Sequence, residues 1–241
     1  MLSYFVAFRV YLYLRQRFGD PLSTPLRWVV VAAALAGAAL GSKLLYWLED
    51  PQLTWHNFHD PAYLMGGKTI VGALVFGLVS VELIKPHICI RQSTGDLYAI
   101  PLALGIAVGR VGCFLTGLTD NTYGTYTTLP WGIDFGDGIR RHPTQLYEIV
   151  FLLFLIPILY RILSAISPPG AASSFHTGDA FKVFMVGYMS FRLLCDFIKP
   201  YPHLALGLGS IQWACILVLV YYASDIGRWL SSTRMAASLR G

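Results

Sequence analysis

Of 241 residues, 55% are hydrophobic and only 13% charged, about half the charge content of an ordinary soluble domain. This composition excludes a typical soluble globule and fits a polytopic membrane protein. A formal net charge of +5 would suggest nucleic acid in a soluble chain. Here most basic residues stand in loops or tails beside apolar runs, where topology accounts for them and no nucleic-acid partner is expected.

Residues 2–14, LSYFVAFRVYLYL, are interrupted by Arg9 and followed by Arg15 and Arg17. They are short against the roughly 20 residues of a span and predict a short or interfacial first helix. No basic stretch precedes the apolar run and no small-residue cleavage site follows it, which argues against a removable signal peptide. Residues 26–48 predict the first full span, with Ala36, Gly37, Ala39 and Gly41 permitting close helix approach. Further spans are expected at 63–84, at 97–117 (where Gly105, Gly109 and Gly112 offer more close-approach positions), and at 145–164, 180–198 and 207–226.

The expected fold is therefore all-α, with about seven transmembrane helices, six full and one short at the N-terminus. They form a single transmembrane domain over 1–241, with a polar loop at 118–144. The stretch SPPGAASSFHTG at 167–178 reads as a flexible connection. Cys89, Cys113, Cys195 and Cys215 lie far apart, which argues against a disulfide framework or a zinc site.

Lys and Arg collect in short cytoplasmic loops. Placing the C-terminus in the cytoplasm puts Arg15, Arg17, Arg27, Lys85, Arg91, Arg161, Lys182, Arg228, Arg234 and Arg240 on that side. The opposite loops then hold Arg140, Arg141 and Lys199 together with acidic Glu49, Asp50, Asp60, Asp120, Asp134 and Asp137.

Lys43, Lys68, Arg110 and Arg192 remain inside spans, each about 6–10 Å below the outer end of its helix at 1.5 Å of rise per residue. Glu148 and Asp196 fall in the same layer. Intramembrane charges mark function by default, and four positive charges against two negative suit an anion. Lys43, beside Tyr46 and Trp47, reads equally well as a snorkelling anchor. Arg110, set among glycines, implies a helix neighbour. Tyr188, Arg192 and Asp196 are spaced four apart and share one helical face. They read either as an ion pair locking helices or as an arginine gripping a phosphate with a tyrosine donor beside it.

GRVGCF at 109–114, RHPTQLYE at 141–148 and GYMSFRLLCDF at 187–197, in this order within a seven-span layout, resemble the prolipoprotein diacylglyceryl transferase family. The resemblance covers most of the chain. It implies transfer of diacylglycerol from phosphatidylglycerol to the lipobox cysteine thiol of an exported prolipoprotein, at the outer face of the bacterial cytoplasmic membrane, without a cofactor or metal. By resemblance Arg110, Tyr188 and Arg192 are catalytic, and the arginines handle the lipid phosphate. Guanidinium groups in a water-poor site stabilise the charge on a departing glycerol phosphate. Lys68, His142, Gln145, Glu148 and Asp196 complete the expected substrate-binding set.

The chain departs from the family pattern on the acceptor side. After Gly66 and Gly67 it reads KTIVGA, so Val71 falls where the family has a histidine. Cys113, Thr116 and Leu118 replace two asparagines and an acidic residue. Either another group, Glu148 or a desolvated Lys68, assists the thiol, or the pocket serves another acceptor, or it binds or transports phospholipid without transfer. Cys113 reads as a packing residue before a covalent intermediate. Asp134 and Asp137 read as a polar turn rather than a calcium loop, and His56, His59 and His203, in outer loops without a shared helical face, are not expected to form a metal site. His142, before Pro143 at a helix start, suits capping or phosphate contact.

Overall fold

The computed structural model describes residues 2–167, 175–200 and 207–238, apart from the side chains of 232–238. Most of the 167–178 connection, His203, Arg240 and the side chain of Arg234 lie outside them. Among the described residues ten α-helices run in order: α1 (Leu2–Phe18), α2 (Thr24–Glu49), α3 (Pro51–His56), α4 (Pro61–Met65), α5 (Ile70–Ile84), α6 (Asp96–Thr116), α7 (Thr144–Ile166), α8 (Asp179–Cys195), α9 (Ser210–Tyr221) and α10 (Ala223–Ser238). The strand content described is one two-residue hairpin, β1 (Ile133–Asp134) against β2 (Arg140–Arg141). The protein is an all-α membrane protein.

Helices α2, α5 with its extension to Ile88, α6 with its extension to Asp120, and α7 are each long and apolar enough to cross a membrane. The pair α9 and α10, bent by 55°, makes a fifth if taken as one span. Helices α1 and α8 have 17 residues each, about 25 Å of length against a hydrocarbon core of roughly 30 Å.

Two expected spans differ in outline. The 63–84 stretch is not one helix: α4 ends at Gly66, Gly67 takes a positive φ of 36°, and α5 starts only at Ile70, capped by Thr69. Lys68 therefore lies in a loop, exposed, rather than inside a span. The 207–226 stretch bends after Tyr221, where Ser224, Asp225 and Arg228 bring polar groups into the helix.

The chain divides into two compact units. In the unit formed by 20–92 and 192–216, α2 packs along α5 through glycines. A β-carbon added at Gly41 would lie 2.4 Å from the Gly72 carbonyl oxygen, and one at Gly37 would lie 2.1 Å from Ser80 Oγ. Close backbone approach of this kind is what small residues supply in lipid, and Gly37 and Gly41 do what the sequence suggested. Lys43 Nζ donates to the carbonyl oxygens of Met65, Gly66 and Gly67. Its ammonium thus holds the break between α4 and α5.

In the unit formed by 1–19, 93–191 and 217–241, α6 packs against both α1 and α7. Ala99, Ala103, Leu152 and Leu159 are wholly buried. Tyr11 and Tyr98 stack at 5.0 Å, and Gly105 sits against Ala7. Gly109 and Gly112 were expected to be close-approach positions, but a β-carbon on either meets nothing within 4 Å among the described residues. At the opposite end of α6, Asp96 accepts from the backbone N–H groups of Gly178 and Phe181 at the start of α8. Asp179, with no exposed surface, receives both Arg228 guanidinium nitrogens (3.1 and 2.6 Å) and the Trp229 indole, which fastens α10 to α8.

Candidate functional site

Helix α7 is apolar along its middle and carries polar groups in its first turns, where Thr144, Gln145 and Glu148 are each 1% exposed. Positions 144, 145 and 148 are three and four apart, so one helical face gathers them. Buried polar groups in an apolar setting must find partners, and these three find them on α6, on α8 and in the loop between α6 and α7.

Glu148 is the hub. Its Oε2 lies 2.9 Å from Arg110 Nε, and its Oε1 accepts the Tyr188 hydroxyl at 2.7 Å. Arg110 is 7% exposed and Tyr188 fully buried. Arg110 stands six residues before the end of α6 and Glu148 four after the start of α7, so both lie within about 6–9 Å of the loop end of their helices. Three of the expected site residues are thus brought together, with Glu148 between the other two. The hydroxyl of Tyr188, expected as a phosphate donor, is given to Glu148. Arg110 Nη1 lies 3.9 Å from Cys113 Sγ, a half-buried thiol. Arg110 is buried against a helix neighbour as expected, and the contact runs through Glu148 of α7 rather than through Gly109 and Gly112.

The loop from 117 to 143 is strapped to the start of α7. Thr144 Oγ1 donates to the Thr122 carbonyl at 2.5 Å, Gln145 Nε2 donates to Thr122 Oγ1 at 3.1 Å, and Thr122 Oγ1 donates to Asp120 Oδ2 at 2.5 Å. Sequence reasoning missed Asp120, Thr122 and Thr144. The signal available for Thr144 was its spacing from Glu148; the loop residues carried none. His142 neither caps α7 with its side chain nor reaches Arg110. Its Nδ1 lies 3.2 Å from the Tyr147 hydroxyl, which also accepts the Trp131 indole N–H at 2.8 Å. The Trp131 and Tyr147 rings line an apolar groove with Pro130, Ile133, Leu146 and Val150.

The hairpin is the expected polar turn. Asp134 Oδ1 accepts from the N–H groups of Gly136, Asp137 and Gly138, and Asp137 forms a two-point pair with Arg141 at 2.7 Å. That guanidinium holds the Asp137 carboxyl below its ordinary pKa and rests over the Tyr123 ring.

In the other unit, Arg192 Nη2 donates to Asp196 Oδ1 at 3.3 Å, and both side chains are buried. The ion pair read from the four-residue spacing is present. Lys68 takes no part in a buried cluster, because it is exposed in the loop before α5. Val71 is 1% exposed, a buried aliphatic side chain where an imidazole was the family expectation.

Residues 2–229 match the family model described as prolipoprotein diacylglyceryl transferase. Among curated proteins, the chain is 32% identical to the phosphatidylglycerol–prolipoprotein diacylglyceryl transferase of Bordetella parapertussis, over 76% of this chain and 70% of that protein. It is 31% identical to the protein of the same name from Methylococcus capsulatus, over 82% and 74%. It is 29% identical to that of Cupriavidus metallidurans, over 91% and 84%.

Proposed function

From the premise that this chain belongs to the prolipoprotein diacylglyceryl transferase family, we propose that it moves the diacylglyceryl group of phosphatidylglycerol onto the lipobox cysteine thiol of an exported prolipoprotein. The observation that carries this reading is the buried Arg110, Glu148 and Tyr188 cluster between apolar helices. Ionisable side chains gathered inside a membrane-spanning region mark a functional site by default, and this cluster joins a cation, a carboxylate and a hydroxyl from three helices.

In this reading the thiol sulfur attacks the terminal glycerol carbon of the diacylglyceryl group. The carbon–oxygen bond to phosphate breaks, the electron pair leaves with glycerol phosphate, and the proton given up by the thiol ends on the released phosphate or in water. Arg110 offsets the charge gathering on the phosphate oxygens. Glu148 is a positioning residue that aims Arg110, and Tyr188 holds Glu148. Arg192 enters as a second phosphate-handling group through its place in GYMSFRLLCDF. Gln145 is a substrate-binding residue, whereas His142, Lys68 and Asp196 stay in the proposed binding set on sequence position alone. The site faces the outer leaflet of the cytoplasmic membrane and the C-terminus lies inside, on the loop charge asymmetry.

One observation favours a second reading, a phospholipid-binding or transport protein or a transferase with another acceptor: Val71 offers the thiol no proton acceptor. Purified protein incubated with phosphatidylglycerol and a lipobox peptide separates the two. Mass spectrometry should show the peptide gaining a diacylglyceryl group in step with glycerol phosphate release. Lipid bound without either product would overturn the transferase reading.

A further inference from the structure

We infer that Gln145 is the specificity-determining residue that reads the free hydroxyls of the donor's head glycerol. The inference rests on the proposed use of phosphatidylglycerol and assigns it a recognition site.

The orientation of the Gln145 amide follows from proton counting. The single hydroxyl proton of Thr122 goes to Asp120 Oδ2 at 2.5 Å, and a carboxylate can only accept. Thr122 Oγ1 can therefore only accept from Gln145, so the amide nitrogen must face it, at 3.1 Å. The carbonyl end, Oε1, is turned the other way. It is fully buried and has no partner among the described residues. A buried amide oxygen without a donor is costly, and here a three-residue relay from Asp120 through Thr122 holds it so. Such an arrangement is worth keeping where a ligand hydroxyl completes it.

Position favours the head glycerol as that ligand. Gln145 precedes Glu148 by three residues on the same face of α7, about 4.5 Å along the axis toward the loop. A phosphate at Arg110, beside Glu148, would place the head-glycerol hydroxyls three to four bonds further on, a reach of roughly 4–5 Å. The head glycerol is the hydroxyl-bearing part of this lipid, and Oε1 is an acceptor aimed by its own support.

The test compares phosphatidylglycerol with phosphatidylpropanol, which keeps the phosphodiester charge and lacks the head hydroxyls. The full-length protein in micelles of neutral lipid is given either donor and a lipobox peptide, and binding of each donor is measured alongside transfer. Wild-type protein should prefer phosphatidylglycerol about tenfold, the scale of one buried hydrogen bond. Gln145→Met, which keeps the shape, should lose about tenfold on phosphatidylglycerol and stay within about threefold on phosphatidylpropanol. Thr122→Val, which frees the amide to turn, should fall between and serves should Gln145→Met fail to fold. A wild type indifferent to the two donors, or variants that keep its ratio, would overturn the inference. Absence of transfer with a preserved binding preference would overturn the transferase reading and leave this one standing.

Discussion

Glu148→Gln is the sharpest probe of the buried cluster. The substitution keeps side-chain volume and removes one negative charge from a group 2% exposed, 2.9 Å from a guanidinium 8% exposed. Breaking a buried pair by removing one partner costs about 3–5 kcal/mol, because the remaining charge stays buried. The Tyr188 bond to Glu148 changes from charge-assisted to neutral, a further loss of about 1 kcal/mol. Tyr188→Phe, by contrast, removes a single hydrogen bond to a charged acceptor, about 1.5–3 kcal/mol. Glu148→Gln should therefore be the worse by about 2 kcal/mol or more, roughly thirtyfold in the folded-to-unfolded ratio. Because both variants touch the same carboxylate, the double variant should fall short of the sum. Denaturant unfolding of the four proteins in one detergent measures all of this. Glu148→Gln as stable as wild type, or Tyr188→Phe the worse of the two, would refute the hub.

Arg228→Ala leaves Asp179 buried without its guanidinium and should cost about 3–5 kcal/mol, seen as a lowered thermal midpoint that Arg228→Lys partly restores. Gly41→Ala drives a β-carbon to 2.4 Å from the Gly72 carbonyl and should cost about 1–3 kcal/mol. Gly109→Ala, entering open space on a helix, should gain up to about 1 kcal/mol, so matched melting curves separate the two glycines by sign. The Asp137 carboxyl is held down by Arg141, so its support of the hairpin is complete above the ordinary aspartate pKa of about 3.9. That support is lost as pH falls through the depressed folded value. Amide exchange over 133–141 should quicken there, and Asp137→Asn should abolish the pH dependence.

What the sequence made legible follows its periodicities. Apolar runs located the helices, and the 144, 145 and 148 spacing carried enough information to gather Thr144, Gln145 and Glu148 on one face. Spacing cannot say which neighbour a face meets. Gly41 and Gly109 look alike in sequence, yet one meets the Gly72 backbone and the other meets open space. Chain breaks were similarly hidden: Gly66 and Gly67 sat inside a run apolar enough to count as membrane, so Lys68 was counted as a buried cation and is an exposed one. Lys43 found backbone carbonyls more than 20 positions away, a partnership no local pattern encodes. The relay from Asp120 to Gln145 was illegible for the same reason.

In the proposed reaction, the pairing of Arg110 with Glu148 changes how the lipid phosphate is captured. Four cations against two carboxylates suggested attraction by surplus charge, but Lys43 is held by carbonyls, Lys68 is exposed, and Arg110 already faces a carboxylate. An arriving phosphate must share Arg110 with Glu148. The carboxylate thus weakens ground-state binding while it fixes where the guanidinium points. Glu148→Gln should then tighten binding of phosphatidylglycerol, lowering KM, and at the same time lower kcat about 10²-fold or more through misplaced charge stabilisation. If Glu148 instead accepted a hydroxyl of the lipid directly, its loss would raise KM. Initial rates of the variant across phosphatidylglycerol concentrations decide between the two, and a raised KM would show that Glu148 is a ligand of the substrate rather than the group that aims Arg110.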